Sequence, residues 1–245
     1  MHKFGLIGKS LIHSFSKKFF SEKFKNESID AIYELYSLAD LSNFKEFILQ
    51  NSLSGLNVTI PYKTAILPLL DDIDEEAREI GAVNVIKINQ KQNNLFLKGY
   101  NTDTIGFRKS LKPLLKPYHT NALVLGTGGA AKAVVYSLKK LGIKTQCVSR
   151  KKTNFSITYE ELNQDIINRN LLIINTTPLG TFPNTETCPN IPYQFLTEKH
   201  LLFDLVYNPE LTLFLQKGLQ HGSTIKNGYE MLVEQAESAW KIWNL

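Results

Sequence analysis

A two-domain α/β fold, its second part a Rossmann-type doubly wound sheet, is what the sequence predicts. Three observations predict it. Short apolar runs alternate with amphipathic stretches along most of the chain. A glycine-rich turn, "GTGG" at 126–129, joins one apolar run to the amphipathic stretch that follows. One further amphipathic stretch, 229–243, closes the chain after the alternation has ended.

In the first region, "FGLIG" (4–8) reads as a buried strand and 16–28 as a helix, with Phe19, Phe20 and Phe24 at helical spacing. A strand over 31–38 is followed by a helix over 40–51, with Asp40 as its cap. "LNVTI" (56–60) is a third strand, and Pro61 suits the first turn of a helix because its missing N–H costs nothing there. A helix over 72–82 starts acidic, as the macrodipole favours. "NVIKIN" and "LFLKGYN" around the polar "QKQNN" read as a hairpin.

A second region opens near residue 102 with the helix-like "TDTIGFRKSLKPLL" and the polar connector 116–121. Strands at 122–126, 144–150, 171–177 and 201–207 then alternate with helices at 129–142, 159–169 and 210–222, the rhythm of a parallel sheet covered on both faces. The last helix carries Met231, Leu232, Ala236, Ala239, Trp240 and Trp243 along one broad side. The predicted division is 1–103 plus 228–245 against 104–227.

Composition narrows the function classes. The 245 residues are 43% hydrophobic and 21% charged, ordinary for a folded protein. The net charge of +5 is scattered, with no basic stripe interleaved with aromatics, so a small anionic ligand is expected rather than nucleic acid. Cys147 and Cys188 are not needed as a staple in a chain of this length. The five histidines show no ligand spacing, so no metal is expected. No run approaches eighteen apolar residues or reads as a signal peptide, so no membrane partner and a cytoplasmic location are expected.

The glycine turn carries the most chemistry. In "ALVLGTGGAAKAVV", Gly126, Gly128 and Ala131 fill a G-x-G-x-x-A pattern. The first glycine permits the turn, the second lets backbone approach a pyrophosphate, and the third small residue lets helix and strand pack. Amides of the helix start then face phosphate, which makes Gly126, Thr127, Gly128, Gly129 and Ala130 the expected contacts. The next strand ends in Ser149, Arg150 and Lys151 where an NAD binder would place a carboxylate. A guanidinium pairs with a 2′-phosphate, so NADP is expected over NAD.

"GLNVTIPYK" (55–63) leaves its lysine ambiguous, since Lys63 alone reads equally well as a solvated residue at a helix start. Taken with "HSFS", "GAVN", "GYNTD", "GTGGAAKA", "SRKKT", "NTTPLG", "DLVYNPELT" and "NGYEMLVEQA", in that order, the chain resembles the shikimate dehydrogenases over nearly its full length. The resemblance implies an NADP-dependent reduction of 3-dehydroshikimate to shikimate, in the chorismate route to aromatic amino acids, by a substrate domain and a cofactor domain. It also implies that Lys63 and Asp103 are the acid–base pair at the reacting carbonyl, in a cleft between the domains. An ammonium supplies proton and charge to the developing alkoxide, and a carboxylate orients it. Ser14 and Ser16 are implied at the substrate carboxylate with Tyr207 nearby, and Thr59, Asn84 and Gln235 at the ring hydroxyls. Asn175, Thr176, Val206, Gly228 and Met231 are implied along the cofactor.

The chain departs from the family pattern at Lys17, where proline is usual, at Thr127 for alanine, Lys132 for arginine and Thr104 for glycine. The nearest alternative is a quinate or dual shikimate/quinate dehydrogenase using NAD; a non-catalytic ring-acid binder would be expected to lose Lys63 or Asp103. A monomer and a homodimer both remain open.

Overall fold

The computed structural model describes residues 1–11, 14–91 and 94–244. His13 of the "HSFS" block and the hairpin tip at 92–93 lie outside the described residues. The chain forms two compact units, Met1–Asp103 with Val233–Leu245, and Thr104–Leu232. The return to the first unit thus falls inside the last helix, where the sequence placed it ahead of that helix at 228. No helix among the described residues is long and apolar enough to cross a membrane.

The first unit is built on strands β1 (His2–Gly8), β2 (Ala31–Ser37), β3 (Gly55–Val58), β4 (Asp72–Ile73), β5 (Val85–Lys91) and β6 (Asn94–Tyr100), in the order β2-β1-β3-β5-β6-β4. β1 runs parallel to β2 and β3, whereas β5 is antiparallel to both β3 and β6. Side chains alternate between the faces of the sheet. Phe4, Leu6, Tyr33 and Val85 pack with Phe20 and Phe24 of α1 (Phe15–Asn26) and with Ala236, Ala239 and Trp243 of the final helix. Ile7, Leu56, Val58 and Ile86 face the other way, onto α2 (Phe44–Asn51), α3 (Tyr62–Ala65) and α4 (Glu75–Ile80). Gly55 is required by packing: a Cβ there would lie 2.5 Å from the Trp243 ring, whose Nε1–H donates to the Ile86 carbonyl at 3.1 Å.

Two helix starts differ from expectation. Asp40 does not cap α2; its Oδ1 accepts from the Ser42 amide at 2.8 Å in a local turn, and the helix begins at Phe44. The helix expected from residue 72 starts at Glu75, because Asp72 and Ile73 pair with Lys98 and Gly99 and leave Asp74 as the cap. Sheet pairing outcompetes helix propensity at that edge.

The second unit carries β7 (Asn121–Leu125), β8 (Lys144–Ser149), β9 (Ser156–Thr158), β10 (Leu172–Asn175), β11 (Leu201–Asp204) and β12 (Thr224–Lys226), all parallel, in the order β12-β11-β10-β7-β8-β9. The chain winds outward from β7 in one direction and then, from β10, in the other, which is the doubly wound arrangement with its switch point between β7 and β10. Ala122, Val124, Leu172 and Ile174 pack against α5 (Asp103–Leu111) and α6 (Gly129–Lys140). Leu123, Leu125 and Ile173 face α7 (Gln164–Arg169) and α8 (Leu213–Gln220). β9 was not foreseen, and the helix expected at 159–169 is a 3-10 turn, Tyr159–Glu161, followed by α7.

The final helix, α9 (Tyr229–Trp243), divides its apolar side between the two cores. Met231 is buried with the second, whereas Ala236, Ala239 and Trp243 belong to the first.

Candidate active site

β3 ends at Val58, and the chain passes through Thr59 and Pro61 into α3, the single turn that carries Lys63. That turn is anchored at both ends. The Thr59 amide donates to the Ile7 carbonyl at 2.9 Å, and the Lys63 carbonyl accepts from the Val83 amide at 2.8 Å. The Lys63 ammonium is consequently half-sheltered, its side chain 16% exposed, and its Nζ lies 2.6 Å from Asp103 Oδ2. Asp103 is buried at the first residue of α5, and the Asn101 side chain accepts its backbone N–H at 3.1 Å.

The second carboxylate oxygen is held as firmly. Asn84 Nδ2 donates to Asp103 Oδ1 at 2.8 Å and approaches Thr102 Oγ1 at 3.1 Å and Gln235 Oε1 at 3.5 Å. Asn84 Oδ1 accepts from the Thr102 amide at 2.8 Å. Lys63, Asp103, Asn84 and Gln235 therefore form one connected group, contributed by α3, α5, the entry to β5 and α9. The Asn84 amide on Oδ1 and the Lys63 amine on Oδ2 together fix the orientation of the Asp103 carboxyl group.

The serines sit differently. Ser14 Oγ accepts from the Lys17 amide at 3.4 Å and caps α1, a bond that the departure from proline makes available. Ser16 is hydrogen-bonded to the Tyr33 hydroxyl, whose ionisation burial pushes far above its ordinary range. Thr59 is half-buried at the strand end. No group of three or more His, Cys, Asp or Glu among the described residues could hold a metal ion.

In the second unit, the glycine turn lies at the carboxyl end of β7, beside the switch point. Gly126 has φ +116°, open to glycine without strain, and a Cβ on it would lie 2.6 Å from Thr176 Oγ1. Thr176 is pinned there because its N–H and Oγ1–H both donate to the Leu125 carbonyl, at 3.0 and 2.6 Å. Gly128 differs: a Cβ there meets nothing within 4 Å. It is the N-cap of α6, no side chain caps the helix, and no acidic residue stands in its first turn. Open space above uncapped amides is what a phosphate needs. Ala131 is buried against the sheet, and Thr127, Arg150 and Lys151 are exposed, with Gly129 and Ala130 half-exposed beside them. The chain's own groups thus fit a phosphorylated dinucleotide.

Several expected contacts prove to be engaged internally. Ser149 Oγ donates to the Lys151 carbonyl and lies 2.9 Å from Ser156 Oγ. Asn175 is fully buried: its Nδ2 donates to Asp204 Oδ1 at 2.9 Å, and its Oδ1 accepts from the Thr177 amide and hydroxyl at 3.0 and 2.6 Å. Gly228 donates its N–H to the Val206 carbonyl at 3.1 Å, and a Cβ on it would lie 2.2 Å from the Leu205 carbonyl oxygen, so no other residue fits. Met231 lies in the core, and Tyr207 is half-buried beyond the end of β11.

Sequence reading assigned no role to Asn57, Asn101, Thr102, Asp204 or Thr212. Tyr33 O–H donates to Asn57 Oδ1 at 2.7 Å, and Asn57 Nδ2 donates to the Asn84 carbonyl at 3.3 Å. The available signal was an amide or acid interrupting an otherwise apolar strand, as Asn57 does in "LNVTI" and Asp204 in "LLFDLVY".

A mixed-sheet unit with a sheltered ammonium–carboxylate pair, next in sequence to a doubly wound unit with an open glycine turn, defines a Rossmann-type α/β protein of two units. The comparisons with known proteins narrow this further. The family described as "Shikimate dehydrogenase substrate binding domain" matches residues 6–86. A curated relative from Caldicellulosiruptor saccharolyticus, "Shikimate dehydrogenase (NADP(+))", is 36% identical over 99% of this chain and 92% of its own. The crystal structure of shikimate dehydrogenase from Aquifex aeolicus superposes with a TM-score of 0.88 at 33% identity, covering 99% of this chain and 92% of that one. Shikimate 5-dehydrogenase from Thermus thermophilus, solved in complex with NADP(H) and shikimate, gives 0.85 at 28% identity, covering 99% and 93%. The chain belongs to the shikimate dehydrogenase family.

Proposed function

We propose that this protein catalyses the reversible NADPH-dependent reduction of 3-dehydroshikimate to shikimate, a step of aromatic amino acid biosynthesis. The observation that carries the reading is the 2.6 Å pair of Lys63 and Asp103, locked by Asn84, in a chain whose second unit presents an open glycine turn. When bound, NADPH supplies the hydride. As the ketone carbon accepts it, charge gathers on the oxygen, and the Lys63 ammonium donates its proton there. Asp103 holds the ammonium in place before transfer. The neutral amine then regains a proton from water. In the opposite direction the amine accepts the hydroxyl proton.

Asn84 and Gln235 stand beside the pair, and Thr59 near the same strand end; they bond the ring hydroxyls or the groups around them. Ring analogues lacking those hydroxyls would leave buried amides unpaired, a strong basis for rejection. Ser14 keeps its hydroxyl proton while accepting the Lys17 amide, and so donates to the substrate carboxylate. Ser16 acts beside it through Tyr33. On the cofactor side the amides of residues 126–130 take the pyrophosphate, and Arg150 with Lys151 takes the 2′-phosphate. Ser149 shapes that loop and Thr176 stands beside the turn, while Val206, Gly228 and Met231 serve the nicotinamide end of the cofactor. The reading includes a cytoplasmic place of work, in keeping with the two free cysteines.

The test is absorbance at the reduced nicotinamide band with purified protein, NADP and shikimate, run beside quinate and NAD. Formation of the reduced cofactor with shikimate and NADP, at a kcat/KM well above that of the other pairings, is expected. No absorbance change with any pairing would end the proposal.

A further inference from the structure

Asp204 is a carboxylate with no exposed surface at the end of β11, and the mechanism above does not use it. Its Oδ2 accepts from Thr212 Oγ1 at 2.6 Å, and its Oδ1 accepts from the Val206 amide at 3.0 Å and from Asn175 Nδ2 at 2.9 Å. No cation pairs with it among the described residues. One acid therefore gathers the last residue of β10, Val206 just beyond β11, and Thr212, whose hydroxyl oxygen caps α8. Asn175 passes the constraint on, since its Oδ1 holds both donors of Thr177 while Thr176 is fastened to Leu125 beside Gly126.

We propose that Asp204 is a positioning residue for the cofactor face: acting through Asn175, it holds residues 176 and 177 beside the glycine turn and so sets the affinity for NADP. This rests on the reading that the second unit binds NADP. Asn175 then serves as the link in the tether, its amide wholly engaged within the protein. The acid's role is to accept several converging donors, and a group that keeps an acceptor toward Asn175 and Val206 preserves it.

Asp204→Ala removes the acceptors, whereas Asp204→Asn keeps Oδ1 toward Val206 and Asn175 and turns its amide toward Thr212. NADP binding is measured by titration calorimetry, and amide exchange of the 176–180 segment by mass spectrometry without cofactor. Asp204→Ala should weaken NADP about tenfold, the worth of one buried hydrogen bond, and speed exchange at 176–180, with KM for shikimate unchanged. Asp204→Asn should restore both to within about threefold. Should Asp204→Ala not fold, Thr177→Val removes one donor to Asn175 from a half-buried position and should shift both readouts in the same direction by a smaller factor. Unchanged NADP affinity in the folded variants, or an equal loss for NADP and shikimate, overturns the proposal. Absence of NADP binding by the unaltered protein would instead overturn the cofactor reading, and the exchange rates would still decide whether Asp204 holds the loop.

Discussion

The two candidate sites of this chain are made of different material. At the glycine turn the proposed working groups are backbone amides at a helix start, carried mostly by glycine and alanine. At the Lys63 site the working groups are side chains, brought together from positions as far apart in sequence as 63 and 235. A site made of backbone needs only a local pattern of small residues, so it leaves a compact signature. A site made of side chains needs the fold to deliver them, and each residue taken singly looks ordinary.

The contrast predicts how each site breaks. Asp103→Asn leaves the Lys63 ammonium without its counter-charge and should lower kcat by about 10²–10³-fold, the range of a lost acid–base partner, with NADP affinity unchanged. The KM and kcat of the purified variant check this. Gly128→Val tests the other site: a Cβ there meets nothing, so thermal stability should hold while the side chain blocks phosphate from the amides. About 100-fold weaker NADP binding is expected by titration, the loss of two or so charge-assisted hydrogen bonds. Gly126→Val should instead cost stability, because Gly126 combines φ +116° with the close approach of Thr176. Arg150→Asp keeps the turn intact and should lower the NADP over NAD preference about 30-fold, since a carboxylate repels a 2′-phosphate.

The smallest expected effect is on stability with pH, and it belongs to the second unit. Burial pushes the Asp204 carboxyl up to about 6, against 3.8 for the free group, even though Thr212, Val206 and Asn175 pull it down. The folded state therefore binds this proton more readily than the unfolded state. Stability from this group rises as pH falls through 6 and levels off below 3.8. Between pH 7 and 5 the gain is about 1 kcal/mol, or roughly 2–4 °C in the midpoint of thermal unfolding. Asp204→Asn should remove that increment, which the difference between the two melting profiles reads directly.

Much of the architecture could be read from the residues, because alternation of apolar faces and the glycine turn are local facts. "ALVLGTGGAAKAVV" already carried strand, turn and helix, and the structure bears out all three. Edges were less legible. β4 is two residues long and takes its place only by pairing with β6, so nothing in "DDIDEE" separates it from the acidic start of a helix. The side-chain site was legible only through resemblance, since no periodicity links Lys63 to Asn84 or Gln235. Asn57 and Asp204 were legible in principle as polar residues inside apolar strands, but their partners lie elsewhere in sequence and the sequence does not name them.

The central claim is that the Lys63 ammonium, held by Asp103, delivers the proton to the ketone oxygen. The most direct test is the single-turnover rate of NADPH oxidation by 3-dehydroshikimate in Lys63→Met, with NADPH affinity and far-UV circular dichroism measured on the same preparation. A fall of about 10³-fold in that rate, with affinity and secondary structure unchanged, is the expected result. A rate within about threefold of the unaltered protein would contradict the claim, because a side chain without a transferable proton would then serve as well as the amine.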